Sequence, residues 1–147
     1  MSREGGDTRE RSLAHWSEAA RAEMDAFYRV ATLDYRELAR AWDWDAFLRE
    51  RAAKRGPVRI LDVACGSGKF PQALLRHAGI DSSADAAPAP GFTLDYDLLD
   101  PSAFSLREAK QELAAPFRAG AEFCCTLQDW EPEPGAYAIA WATHALY

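Results

Sequence analysis

Apolar residues in the first 56 positions return at steps of three and four. Leu13, Trp16, Ala20, Met24 and Phe27 place one stripe on a helix that begins near Asp7, where D-T-R-E supplies a cap with an acid close behind. Leu33, Leu38, Trp42, Phe47 and Leu48 keep nearly that period through a second helical stretch. Asp43 stands where it can restart or cap the last part, and Gly56-Pro57 ends it. The aromatic residues in these stretches read as packing residues; the functional option is that Tyr28 or Tyr35 lies over a ligand as a lid.

After Pro57 the period changes. V-R-I-L-D-V (58–63) is a short run of branched apolar residues, as expected of a strand buried on both faces. Phe70, Ala73, Leu74, His77 and Ala78 then return to helical steps, with Pro71 in the first turn, where proline is tolerated. His77, near the end of that helix, reads as a packing or cap-adjacent residue. Residues 79–91 are small, proline-containing and aperiodic, which predicts a surface loop or insertion. F-T-L-D-Y-D-L-L (92–99) predicts a second strand. D-P-S follows, and then S-L-R-E as a capping box for a helix carrying Leu106, Ala109 and Leu113. Ala121 to Leu127 predicts a third strand, Q-D-W-E-P-E-P-G a loop, and A-Y-A-I-A-W-A a fourth strand. Strands alternating with helices imply a parallel, helix-covered α/β sheet.

Composition narrows the function. The chain has 147 residues, 48% of them hydrophobic and 27% charged, which suits a globular fold with its own core. A net charge of -6 argues against a surface built to hold a phosphate backbone, so nucleic acid is not an expected partner. No apolar run approaches the ~20 residues that cross a bilayer, and the start lacks the apolar stretch of a signal peptide; no membrane partner and a cytoplasmic location are the default expectations. Cys65 and the adjacent Cys124-Cys125 have no framework or metal-ligand spacing, so they read as reduced thiols, one or both of the pair as buried strand residues, and no metal is expected.

The chemistry concentrates in I-L-D-V-A-C-G-S-G-K (60–69), where an apolar strand passes an aspartate and enters a cluster of small residues before a helix. A glycine cluster at the carboxyl end of a strand lets backbone approach a ligand closely. The spacing does not fit a phosphate-binding loop, because Gly68-Lys69 is followed by Phe70 and the required earlier glycine would be Val63. It does not fit the dinucleotide fingerprint either. There Lys69 would occupy a position where helix and strand must pack closely, which disfavours a nicotinamide-dependent oxidoreductase. What remains is Asp62 followed by small residues at alternate positions, Ala64, Gly66 and Gly68.

L-D-V-A-C-G-S-G resembles motif I of the class I S-adenosylmethionine-dependent methyltransferases, a Rossmann-like family with acid-x-G-x-G-x-G at the end of the first strand. Asp100-Pro101-Ser102 resembles the second motif, whose acid commonly takes the ribose hydroxyls. Gln128-Asp129-Trp130 resembles the segment where an acid commonly meets the adenine amine, and the fourth strand with W-A-T-H-A-L-Y resembles motif IV. The resemblance covers residues 58–147 in order. It implies a Rossmann-like parallel sheet with helices on both faces, an S-adenosyl-L-methionine cofactor and methyl transfer to a small-molecule acceptor. The implied cofactor residues are Asp62, Ala64, Cys65, Gly66, Ser67, Gly68, Asp100, Pro101, Gln128, Asp129 and Trp130. His144 is the candidate proton acceptor near the fourth strand, against the blander reading of a packed or solvated histidine. Residues 1–56 would form a helical cap or lid, and 57–147 a partial cofactor-binding domain.

Two departures carry expectations of their own. Ala64 replaces the first glycine, which suits a backbone that needs no positive φ there. The wide interval between Asp62 and Asp100 is assigned to the 79–91 loop. Family members continue through further strands, so the expectation is an amino-terminal part of a larger protein, or a sheet completed by a protein partner. The rival reading is a non-catalytic adenosyl-binding or assembly module.

Overall fold

The computed structural model describes residues 10, 14, 17–80 and 92–143. A turn of 3-10 helix, Glu18–Ala20, leads into α1, Arg21–Arg40, so one helix runs through the stretch that the sequence pattern divides in two. Its buried face is Met24, Tyr28, Ala31, Tyr35 and Ala39. Leu33 and Leu38, expected on the buried stripe, lie outside at 53% and 39% exposure. The face carrying two alanines lets α1 approach a neighbouring helix closely, and Tyr35 packs there against Phe70. Asp7, Leu13 and Trp16 fall outside the described residues. Asp43 caps α2, Trp44–Arg55, its Oδ1 accepting from the Ala46 N–H at 3.0 Å, and Gly56 ends the helix at φ 74°.

The remaining elements are β1 (Val58–Val63), α3 (Lys69–His77), β2 (Leu94–Leu99), α4 (Ala103–Glu112), β3 (Phe117–Phe123) and β4 (Ile139–Trp141). They form a parallel sheet in the order β3-β2-β1-β4. The order reverses between β1 and β4, and in open α/β sheets such a switch point, at the carboxyl end of β1 here, is where ligands bind. This is a Rossmann-like α/β fold. The core joins Val58, Ile60, Leu94, Tyr96 and Leu98 to Met24, Leu48, Leu74 and Leu106, so the described helices share one face of the sheet rather than the two faces expected; right-handed crossovers that step in one direction from β1 to β2 to β3 keep α3 and α4 on the same side. Each such large apolar side chain contributes roughly 1.5–3 kcal/mol when buried. The alternate residues Arg59, Leu61, Asp95, Asp97 and Leu99 belong to the opposite face, where the 124–138 segment folds over them. Tyr137 Oη donates to Asp97 at 2.8 Å, and Trp130 packs on Phe123 and Tyr137.

Several boundaries differ from the sequence reading, β2 among them, which starts at Leu94 rather than Phe92. β3 starts at Phe117 rather than Ala121, because Phe117 is buried against Tyr96 while Arg118 pairs with Asp95 at the sheet edge. An edge strand with exposed polar residues lacks the apolar run used to find it. Buried Asp97 accepts the Ala121 N–H at 2.8 Å and the Arg59 guanidinium at 2.8 Å, and the β2–β3 register shifts at this point. Gly120 is required there, since a Cβ would strike the Asp97 carboxylate. Cys124 and Cys125 consequently lie beyond the strand, Cys124 exposed and Cys125 only partly covered, not buried as expected. The cap of α4 is Ser102, which accepts from Ser105 N at 3.2 Å; Ser105 itself is inside the helix. β4 is shorter than the predicted run. No described helix is long and apolar enough to cross a membrane.

Candidate functional site

β1 delivers Asp62 and then the 64–68 turn to the switch point. Ala64, Gly66 and Gly68 have φ of 53°, 52° and 71°, so the turn uses left-handed backbone at each alternate small residue. The expectation that Ala64 avoids positive φ is corrected: it adopts the strained conformation, at a cost of roughly 1 kcal/mol for an L-residue. The reason is geometric, since the chain must leave the strand and enter α3 within five residues. At Gly68 a Cβ would come within 2.9 Å of the Ala109 Cα, so the turn passes directly against the α4 backbone.

The turn's amides are engaged within the chain. Gly66 N–H donates to Asp100 Oδ2 at 3.0 Å, Ser67 N–H to Tyr28 Oη at 3.1 Å and Gly68 N–H to the Cys65 carbonyl at 3.1 Å. Sequence reasoning pictured these groups turned toward a ligand tail. In the folded chain the small residues provide close approach, while Tyr28 from α1 and Asp100 from the end of β2 hold the turn in shape. Lys69 Nζ lies 5.4 Å from the centre of the Tyr28 ring.

Asp100 is buried, and its other oxygen accepts from Ser102 N at 2.8 Å. Burial pushes its carboxyl above the usual range, and the Ser102 and Gly66 N–H bonds pull it back. A carboxylate offers about four acceptor positions, so capacity remains for neighbouring hydroxyls. Pro101 accepts from Cys124 Sγ at 3.6 Å, which brings the end of β3 against the D-P-S segment.

Asp62 is buried at 1% exposure. Its Oδ2 accepts from Tyr96 Oη at 2.7 Å, and Tyr96 Oη in turn accepts from Trp141 Nε1 at 3.0 Å. Oδ1 has no hydrogen-bond partner among the described residues. Burial is the main cause that raises the Asp62 carboxyl to about 7; Tyr96 lowers it, Asp100 raises it and Trp141 lowers it. Cys65, also buried, is held protonated by burial and by the charges of Asp62 and Asp100, so it is no nucleophile.

In the loop that follows β3, five and six residues past Phe123, Gln128 and Asp129 are exposed, and Thr126 Oγ1 donates to Asp129 at 2.7 Å. Trp130 is partly buried, packing toward the helix-free face. The folded chain thus joins Asp62, the 64–68 turn and Asp100-Pro101 directly, whereas Gln128-Asp129-Trp130 lies in the loop beyond β3, with Trp130 packed on Phe123 and Tyr137. His144 lies outside the described residues. Sequence reasoning missed Tyr96 and Trp141, and it named Tyr28 only as a possible lid. The signal available for Tyr96 was a phenol inside an apolar strand, since a buried hydroxyl needs a partner.

An adenosyl ligand with an amino-acid tail fits this chemistry on two observations. Asp62 Oδ1 is a buried acceptor that lacks a donor among the described residues, suited to an ammonium group, and Asp100 keeps acceptor capacity suited to ribose hydroxyls.

No protein-family model matches the chain. Over 96 residues it is 34% identical to the N-terminal Xaa-Pro-Lys N-methyltransferase 1 of Mus musculus, and 33% identical to the corresponding enzyme 1-B of Xenopus laevis. Each match covers 65% of this chain and 37% of the relative, so the chain matches well under half the length of these curated proteins. Among solved structures, the plantazolicin methyltransferase BpumL in complex with SAH has a TM-score of 0.49 at 16% identity, over 88% of this chain and 44% of that one. BpumL with a triazolic desmethylPZN analog and SAH has a TM-score of 0.48 at 17% identity, over 87% and 43% of the two chains.

Proposed function

We propose that the chain belongs to the class I S-adenosylmethionine-dependent methyltransferases, binds S-adenosyl-L-methionine at the carboxyl ends of β1, β2 and β3 and serves methyl transfer. One observation carries this reading: Gly66 of the small-residue turn and Asp100 after β2, separated by 34 positions, meet in a single hydrogen bond. In this reading Asp100 takes the ribose hydroxyls, Asp62 the ammonium of the tail, and Asp129 with Gln128 the adenine edge. Ala64 to Gly68 give the backbone closeness that the tail requires. Pro101 and Trp130 complete the wall, and Cys65 lines it as a small inert side chain.

S-adenosyl-L-methionine, when bound, supplies a methyl group already activated on a sulfonium. The chain's own residues then need only orient the donor and exclude water, without forming a covalent bond to the protein. Within the 1–56 region α1 acts as a cap over the turn, which the Tyr28 contact supports. The acceptor is a small nucleophile in a cytoplasmic setting. The Xenopus and mouse relatives, named for N-terminal Xaa-Pro-Lys methylation, add a peptide amine as the second acceptor class to assay.

Calorimetric titration with S-adenosylhomocysteine, and with NAD as the contrasting ligand, tests the site. Saturable binding of the former alone is expected. Preference for NAD, or binding of neither, overturns the reading. A transfer assay with small amines and an Xaa-Pro-Lys peptide then addresses catalysis. Binding without transfer favours the second reading, an adenosyl-binding module completed by another segment or chain.

A further inference from the structure

Asp62, Tyr96 and Trp141 come from β1, β2 and β4, and strand register places all three on the helix-covered face. Asp62 stands opposite Trp141 on β4 and opposite Leu98 on β2, with Tyr96 two residues before Leu98. Their hydrogen bonds have one direction. An indole N–H can only donate, so Trp141 occupies an acceptor position on Tyr96 Oη, and the phenol hydrogen points to Asp62 Oδ2. The carboxylate is held by one oxygen and, among the described residues, left unmatched at the other.

We infer that Tyr96, backed by Trp141, is a positioning residue of the cofactor site, holding Asp62 so that Oδ1 is presented to the cationic amino group of the ligand's tail. This rests on the cofactor reading above and extends it to two residues outside the turn and the acid motifs. It also gives β4 a part in the site, because Trp141 enters the chain from that short strand. The groups acting on Asp62 are Tyr96 from β2, Trp141 from β4 and the Asp100 charge after β2; Cys65 in the turn lies close enough to feel the Asp62 charge. Donation by Tyr96 favours the ionised carboxylate, so its removal should move the Asp62 titration upward from about 7.

Tyr96→Phe and Trp141→Phe in the 147-residue chain test this. The first readout needs no ligand: the Asp62 carboxyl is followed by carbon NMR against pH, with its signal identified by its loss in Asp62→Asn. Both variants should titrate higher than wild type, Tyr96→Phe the more strongly. The second readout is calorimetric affinity for S-adenosylhomocysteine between pH 6 and 9. Loss of a hydrogen bond to a charged group predicts roughly tenfold weaker binding by Tyr96→Phe at neutral pH, with partial recovery at pH 9 as Asp62 ionises. The ligand's own amino group titrates alike in every variant, so it cancels. Trp141→Phe provides the same comparison if Tyr96→Phe folds poorly. Wild-type affinity and an unchanged pH profile in both variants would overturn the positioning role while leaving the cofactor reading intact; failure of the wild-type chain to bind removes both.

Discussion

The Gly66 amide and the Asp100 carboxylate lie 3.0 Å apart, although 34 positions separate them in the chain. Their meeting follows from the parallel β1–β2 pairing, in which Val63 stands opposite Leu99 and the two carboxyl ends emerge side by side. Asp100→Asn places an amide against one of two N–H groups that now have an acceptor. It should lower stability by about 1–3 kcal/mol and weaken S-adenosylhomocysteine binding at least tenfold, measured by denaturation and calorimetry. Unchanged binding would exclude Asp100 from the ribose role.

Asp62 links the site to pH. Its folded carboxyl is raised from 3.8 to about 7, so between those values the folded state holds more proton than the unfolded chain, and stability falls as pH rises through that window. The full cost above pH 7, on the order of 4 kcal/mol, should disappear in Asp62→Asn. Urea denaturation from pH 5 to 8 should show a declining wild-type stability and a flatter profile for the variant. The same variant should lose S-adenosylhomocysteine affinity, so stability and binding move in opposite directions at this residue.

Ala64 is a non-glycine residue held at φ 53°. Ala64→Gly relieves the left-handed strain and gives back part of the gain through greater unfolded-state freedom, so a net stabilisation of about 0.5–1 kcal/mol is expected. A lower melting temperature for Ala64→Gly would contradict it.

The two glycines of the turn should respond differently. A Cβ on Gly66 meets Tyr28 Oη at 2.7 Å, a side-chain atom that Tyr28→Phe removes, whereas a Cβ on Gly68 meets the Ala109 Cα at 2.9 Å, which is backbone. Gly66→Ala should therefore be partly rescued by Tyr28→Phe. Gly68→Ala should be the more damaging, by about 2 kcal/mol or more, and insensitive to Tyr28. A double-mutant cycle on thermal stability checks both statements.

Local patterns carried much of this protein. V-R-I-L-D-V became β1 without adjustment, and Pro71 sits in the first turn of α3 because its φ suits that place. Asp43 caps α2 as its short side chain allows. Other features escaped. Ser105 satisfied a capping pattern that Ser102 fulfils in the fold, and both patterns are valid locally until packing of α4 on the sheet selects one. β3 was shifted because Asp97, an acid from the neighbouring strand, takes one of its amides and leaves the edge polar.

The sequence by itself determined the order of strands and helices along the chain, the small-residue turn after β1 and the acid that follows β2, because each depends on residues within a few positions, while the left-handed backbone at Ala64 emerged only in the fold. Tertiary structure alone decided which face α1 buries, that the Tyr28 hydroxyl closes on Ser67, and that Trp141 and Tyr96 aim at Asp62. Those contacts join residues 34 to 45 positions apart. They exist only once strand order and register bring the partners together, and no local periodicity encodes that meeting.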